Sequence, residues 1–139
     1  MEPTKIAVAV VEHEGQFLVG VRPPGVPLAG YSEFPGGKVR ADESPAEAAV
    51  RECQEETGLQ IELLGEYPEV VHQYDHDRLR LYFFRARCVS QATVSQSGVP
   101  QPPFEWLPRA KLAERSFPPA NAALVAQLLA VPAGAHRSP

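Results

Sequence analysis

Apolar residues alternate, run and pause along the chain in a way that predicts most of its elements. Ile6-Ala7-Val8-Ala9-Val10-Val11 is a β-rich run. His13 to Gln16 interrupts it with Gly15 as the turn residue, and Phe17 to Val21 resumes it, which predicts a β-hairpin. From Pro23 to Gly37, proline and glycine recur too often for a regular helix, and the segment reads as a long loop. A loop of that length in so small a chain is usually functional. Next comes a helix with defined ends over residues 45–57. Ser44 caps it, Pro45 takes the first helical position, Glu47 completes a capping box and Gly58 stops it. Its apolar stripe is Ala46, Ala49, Val50, Cys53 and Thr57.

Beyond the helix the spacing predicts an extended piece over 60–64 and another over 69–74. A turn at Asp75-His76-Asp77 follows, then a long strand over 79–89. Residues 91–103 read as a polar loop, 104–107 as a short strand and 108–114 as a helical turn. The last predicted helix spans 119–130, with Leu124, Val125, Leu128 and Leu129 on its apolar side, and a disordered tail begins at Val131. Strands with helices before and after them predict an α/β fold with a mixed sheet covered on both faces.

Composition narrows the function. With 139 residues, 44% of them hydrophobic, the chain suits one domain, expected over residues 1–130. A net charge of −4 and scattered Lys and Arg argue against a nucleic-acid polymer as partner. The segment from Met1 to Val11 has neither the layout of a secretory signal nor the length of a membrane span, so a cytoplasmic protein is expected. Cys53 and Cys88 lack zinc-site spacing and read as small core residues. The 15 prolines group in the loops.

The candidate chemistry lies on the first helix. Glu52, Glu55 and Glu56 stand at i, i+3 and i+4, so at ~100° per residue their side chains share one narrow arc. Like charges at that spacing repel unless something neutralises them. One reading is a solvated acidic face. The other is a site for a hard divalent cation, Mg²⁺ or Mn²⁺, which takes carboxylate and phosphate oxygens together.

The surrounding spacing favours the second reading. Gly37 is followed after five residues by Glu43. After seven more come Arg51-Glu52, an apolar slot filled by Cys53, then Glu55-Glu56, Gly58 and Leu59. This pattern resembles the Nudix box, with cysteine a less usual choice for its slot. The resemblance implies a Nudix-type α/β/α sandwich and hydrolysis of a nucleoside triphosphate to monophosphate and pyrophosphate. It also implies Glu52, Glu55, Glu56 and the Gly37 carbonyl as metal ligands, with Arg51 and Glu43 ordering the helix and its loop. A bound divalent cation draws charge from phosphorus and activates water, and a carboxylate takes the water proton. Many relatives carry a further acid in the loop before the strand at 104–107, whereas residues 91–103 hold no Asp or Glu. Glu52 is then the expected base, Glu55 the second candidate, and Glu105 the only acid nearby.

Outside the box, three features resemble the MutT-like, 8-oxo-dGTP-hydrolysing branch. They are Glu33-Phe34-Pro35-Gly36-Gly37-Lys38, Arg22 ahead of it, and Phe117-Pro118-Pro119-Ala120-Asn121. In that branch the asparagine reads the purine, so Arg22, Phe34 and Asn121 are the expected substrate contacts. Each also has a plain alternative: a surface charge, a loop-packing ring and an exposed helix start. His72 and His76, flanked by Asp75 and Asp77, read as a hairpin turn before a metal cluster. Tyr74 is a weak mark of dinucleoside-polyphosphate hydrolases. A pyrimidine nucleotide or a dinucleoside polyphosphate remains as a rival substrate. A non-catalytic reader of 8-oxoguanine is disfavoured because such modules usually lose the box glutamates.

Overall fold

The computed structural model describes residues 2–75, 77–89 and 99–130. The expected tail from Val131, His76 and most of the loop over 91–103 lie outside these. The described strands are β1 (Thr4–His13), β2 (Gln16–Val21), β3 (Ser32–Glu33), β4 (Gly36–Lys38), β5 (Ile61–Glu66), β6 (Val70–Tyr74), β7 (Asp77–Cys88) and β8 (Glu105–Pro108). They form one mixed sheet. Its centre is the parallel pair β1 and β7, in register from Thr4 opposite Leu79 to Val11 opposite Ala86. Antiparallel neighbours flank the pair. On its free edge, β1 carries β4 at one end and β2 at the other, while β7 carries β5 and β6. β2 in turn pairs with β3 and β8.

Two helices cover the two faces, α1 (Pro45–Thr57) and α2 (Ala122–Ala130). Strand side chains alternate between faces with period 2, and both faces of the central strands are buried. Ala7, Ala9 and Val11 of β1, with Leu18, Phe84 and Ala86, join the cluster under α1. Val8 and Val10, with Phe17, Val19, Leu81 and Phe83, join the cluster under α2. This is the α/β/α sandwich expected from the sequence.

Helix α1 has the predicted bounds because its caps are local. Ser44 Oγ accepts the Glu47 N–H, the Glu47 carboxylate accepts the Ser44 N–H, and Gly58 closes the helix at φ 82° with its N–H on Gln54 O. The buried face is Ala48, Ala49, Cys53 and Thr57, so Ala48 belongs to the stripe, while Ala46 and Val50 are only partly buried. Small residues there meet small residues on β1. Cys53 and Cys88 are free thiols, and burial pushes the Cys53 thiol up to about 12.

The structure corrects four expectations. The expected loop from Pro23 to Gly37 contains the two short strands β3 and β4. Asp77 already pairs with Tyr74 as the first residue of β7. The segment from Pro119 opens as a 3₁₀ turn (Pro119–Asn121), and α-helix begins only at Ala122. Leu129 is exposed, leaving Leu124 and Leu128 as the buried side of α2. Arg109 ties α2 to the sheet: it donates to Leu128 O and to Glu12, with its guanidinium 4.9 Å from the Phe17 ring centre.

Candidate active site

The acidic face of α1 lies beside β4. Glu56 Oε1 accepts the Gly36 N–H at 3.1 Å. A β-carbon added at Gly37 would fall 2.5 Å from Glu52 Oε2, so the Glu52 carboxylate rests on the Gly37 backbone. A β-carbon at Gly36 would meet the Ala7 carbonyl and Val8 Cα of β1, and one at Gly37 would meet the Glu52 carboxylate, which explains the glycine pair. The sequence-predicted ligands Gly37, Glu52 and Glu56 thereby meet where α1 lies against β4.

Arg51 organises the rest. Its Nε and Nη2 donate to the two oxygens of Glu43, and Nη2 also reaches Lys38 O. Its Nη1 donates to Glu52 Oε2 at 3.0 Å and to Glu55 Oε1 at 3.2 Å. One planar guanidinium thus links the loop after β4 to the helix, a task suited to its fixed fork of donors. Glu43 responds: hydrogen bonds from Arg51, then from the Arg40 N–H, hold its carboxyl down to about 2. Its three acidic partners hold the Arg51 guanidinium firmly in its charged form.

Among the described residues, no cation pairs with Glu56. Burial pushes its carboxyl up to about 7, against the Gly36 N–H, and the charges of Glu52, Glu33 and Glu55 push the same way. Glu33, on β3, is also raised by burial, although Arg22 opposes the shift. A partly buried carboxylate among three others lacks positive charge, and oxygen donors of this kind suit a hard divalent cation. Among the described residues, no three such groups yet stand together closely enough to ligate an ion. Glu52 and Glu55 are turned onto Arg51 instead. Glu55, with 51% of its side chain exposed, also pairs with Arg40 at 3.8 Å. The chemistry of the donor set, carboxylates of Glu52, Glu55 and Glu56 around a glycine backbone, fits a divalent metal.

Each expected substrate contact has its own partners in the fold. Arg22 Nη1 pairs with Glu33 Oε1 at 3.0 Å and its Nε donates to Pro27 O. The Phe34 ring is 5% exposed and stacks on Phe117, with centroids 5.1 Å apart, so it is packed in the core cluster under α2. Asn121 is 8% exposed, contrary to the exposed-helix alternative. Its Nδ2 makes one long hydrogen bond, 3.5 Å to Pro118 O. Glu105 is held by Arg115 at 2.9 Å. His72 packs on Tyr74, ring centres 4.4 Å apart.

Sequence reasoning overlooked Glu33 as a source of negative charge on Glu56, and took Tyr74 only as a weak mark of dinucleoside-polyphosphate hydrolases, whereas its hydroxyl accepts the Ala120 N–H at 3.2 Å. No local signal marks either contact, since each depends on strands and turns distant in sequence.

The family model described as the NUDIX domain matches residues 6–127. The chain belongs to the NUDIX family, whose hydrolases act on phosphoanhydride bonds of nucleotides and generally need a divalent metal. It is 30% identical over 129 residues to the 8-oxo-dGTP diphosphatase of Escherichia coli (strain K12), covering 92% of this chain and 98% of that protein. The CTP pyrophosphohydrolase of the same organism is 42% identical over 67 residues, 48% of this chain and 49% of that one. Among solved structures, one from a study of MutT from Aliivibrio salmonicida and Vibrio cholerae superposes with a TM-score of 0.71. It is 26% identical and covers 94% of this chain and 98% of that one. No described helix is long and apolar enough to cross a membrane.

Proposed function

We propose that the protein is a Mg²⁺-dependent pyrophosphohydrolase of oxidised purine deoxynucleoside triphosphates, with 8-oxo-dGTP as its preferred substrate. Mn²⁺ would serve in place of Mg²⁺. Glu52, Glu55, Glu56 and the Gly37 carbonyl would hold the metal, which when bound draws charge from the phosphates and activates water for attack. Arg51 keeps Glu52 and Glu55 on the side of the helix facing the loop, and Glu43 keeps Arg51 in place. Glu52 accepts the proton of the attacking water, with Glu55 the second candidate. Water adds to phosphorus, the bridging P–O bond between the α- and β-phosphates breaks, and nucleoside monophosphate and pyrophosphate leave.

The observation that carries the substrate reading is Asn121, a buried amide with one long hydrogen bond. Among the described residues its Oδ1 accepts none. Buried polar groups are normally satisfied, so a buried amide with spare capacity suits a ligand that supplies the partners. Guanine presents two acceptors on its major-groove edge, O6 and N7. In 8-oxoguanine N7 carries a proton, so Nδ2 can donate to O6 while Oδ1 accepts from N7–H. Normal guanine would set Oδ1 against N7, a mismatch costing roughly 1–3 kcal/mol in a dry pocket. Arg22 would contribute from the loop it anchors, and Phe34 would support the pocket through Phe117.

The test is kcat/KM for 8-oxo-dGTP against dGTP, in wild type and in Asn121→Ala. Wild type should favour the oxidised nucleotide by roughly 5- to 150-fold, the range of that mismatch. The alanine variant should lose most of the ratio and keep metal-dependent hydrolysis. Equal rates in wild type, or a ratio retained by the variant, would sink the assignment of Asn121. A pyrimidine triphosphate is the second reading, favoured by the resemblance to the CTP pyrophosphohydrolase.

A further inference from the structure

We propose that Tyr74 is the positioning residue for Asn121, acting as a tertiary cap on the turn that carries it. The inference rests on Asn121 reading the base. The 3₁₀ turn Pro119–Asn121 starts without a side-chain cap. Pro118 and Pro119 have no N–H to offer, so Ala120 supplies the first backbone donor of the turn. Ala120 is buried. A buried donor left without a partner would destabilise this conformation relative to one that exposes it. Tyr74 prevents this from 46 residues away: its hydroxyl oxygen accepts the Ala120 N–H at 3.2 Å.

The tyrosine is itself held. Its backbone pairs with Asp77 across the hairpin between β6 and β7, its carbonyl accepts from Gln73 Nε2, and its ring lies against His72 and the cluster under α2. On the other side of the contact, the Asn121 backbone N–H and its Nδ2 both point to Pro118 O, at 2.9 and 3.5 Å. Side chain and turn are thus tied to one carbonyl, and a turn that shifts carries the amide with it. Base discrimination needs both ends of that amide in place. An acceptor hydroxyl at the end of a paired strand is therefore a specificity device as well as a packing contact.

Tyr74→Phe keeps the ring and removes the acceptor. The expected result is a fall in the 8-oxo-dGTP to dGTP ratio of kcat/KM on the order of three- to tenfold, the range of one neutral hydrogen bond. The loss should sit in KM for the oxidised nucleotide more than in kcat, and the Ala120 amide should lose hydrogen-exchange protection. In an Asn121→Ala background the same change should leave the ratio where it is, because the two residues act as one unit. A merely structural role would lower melting temperature and both substrates' rates together. The Tyr74 assignment is overturned alone if wild type discriminates, Asn121→Ala does not, and Tyr74→Phe keeps the full ratio. If wild type shows no preference, the reading of Asn121 fails first and takes this inference with it.

Discussion

The two glycines of β4 face different partners, and adding one methyl group to each should damage different properties. At Gly37 a β-carbon would lie 2.5 and 2.7 Å from the two Glu52 carboxylate oxygens. That obstacle is the tip of a flexible side chain, which can rotate away at a cost of about 0.5–1.5 kcal/mol if it leaves its rotamer well. Alanine in a strand recovers roughly 0.5–1 kcal/mol relative to glycine, so the net stability change should be within about 1 kcal/mol. Rotation breaks the Glu52–Arg51 hydrogen bond and removes a proposed ligand, and activity should fall on the order of 10²-fold. At Gly36 the β-carbon meets the Ala7 carbonyl and lies 2.9 Å from Val8 Cα, backbone atoms of the central strand that cannot swing aside. Overpacking of this kind costs about 1–3 kcal/mol, roughly a 3–10 °C fall in melting temperature at this size. Thermal melts alongside kcat/KM in Mg²⁺ read both effects. A Gly37→Ala enzyme within about threefold of wild type would refute the packing of Glu52 on Gly37 as part of the site. A Gly36→Ala protein as stable as wild type would refute the close approach of β4 to β1.

Glu55→Gln and Glu56→Gln should each lower turnover on the order of 10²-fold or more with the fold intact. Glu47→Gln, whose amide oxygen can still accept the Ser44 N–H and which loses only the charge near the helix N-terminus, should lose at most about 1 kcal/mol of stability and little rate, as melts and initial rates will show. The raised carboxyl of Glu56 sets a pH dependence. Its folded value of about 7 lies above the ordinary 4.5, so its contribution to stability is complete below about pH 4.5 and is lost as pH rises through 7. In EDTA the melting temperature should therefore fall from pH 5 to pH 8, and Glu56→Gln should flatten that slope; an equal slope in the variant assigns it to other groups. Millimolar Mg²⁺ or Mn²⁺ should restore stability, more at pH 8 than at pH 6, since the cation binds the folded, ionised site. No shift at either pH would mean that metal enters only with nucleotide.

What was legible in the sequence was local. Ser44, Pro45, Glu47 and Gly58 define α1 without reference to any other element, and the box glutamates follow from its period. The run from Ile6 to Val11 is legible as a strand because both its faces are buried. Strand β4 is not, since Gly36 and Gly37 have little β propensity and extend because β1 lies against them; β3 is only Ser32–Glu33 and extends against β2. Prolines at 118 and 119 announce a helix start but impose a 3₁₀ turn first, and the burial of Asn121 depends on packing no periodicity shows. The burial of Phe34 likewise depends on Phe117, 83 positions later, reaching the same face of the sheet.

The most direct test of the account is product analysis on 8-oxo-dGTP, dGTP and CTP with Mg²⁺, by ³¹P NMR and nucleotide chromatography. The account predicts 8-oxo-dGMP and pyrophosphate as the products, with 8-oxo-dGTP turned over at the highest kcat/KM and no turnover in EDTA. Orthophosphate as the product, turnover that survives EDTA, or CTP as the preferred substrate would contradict it.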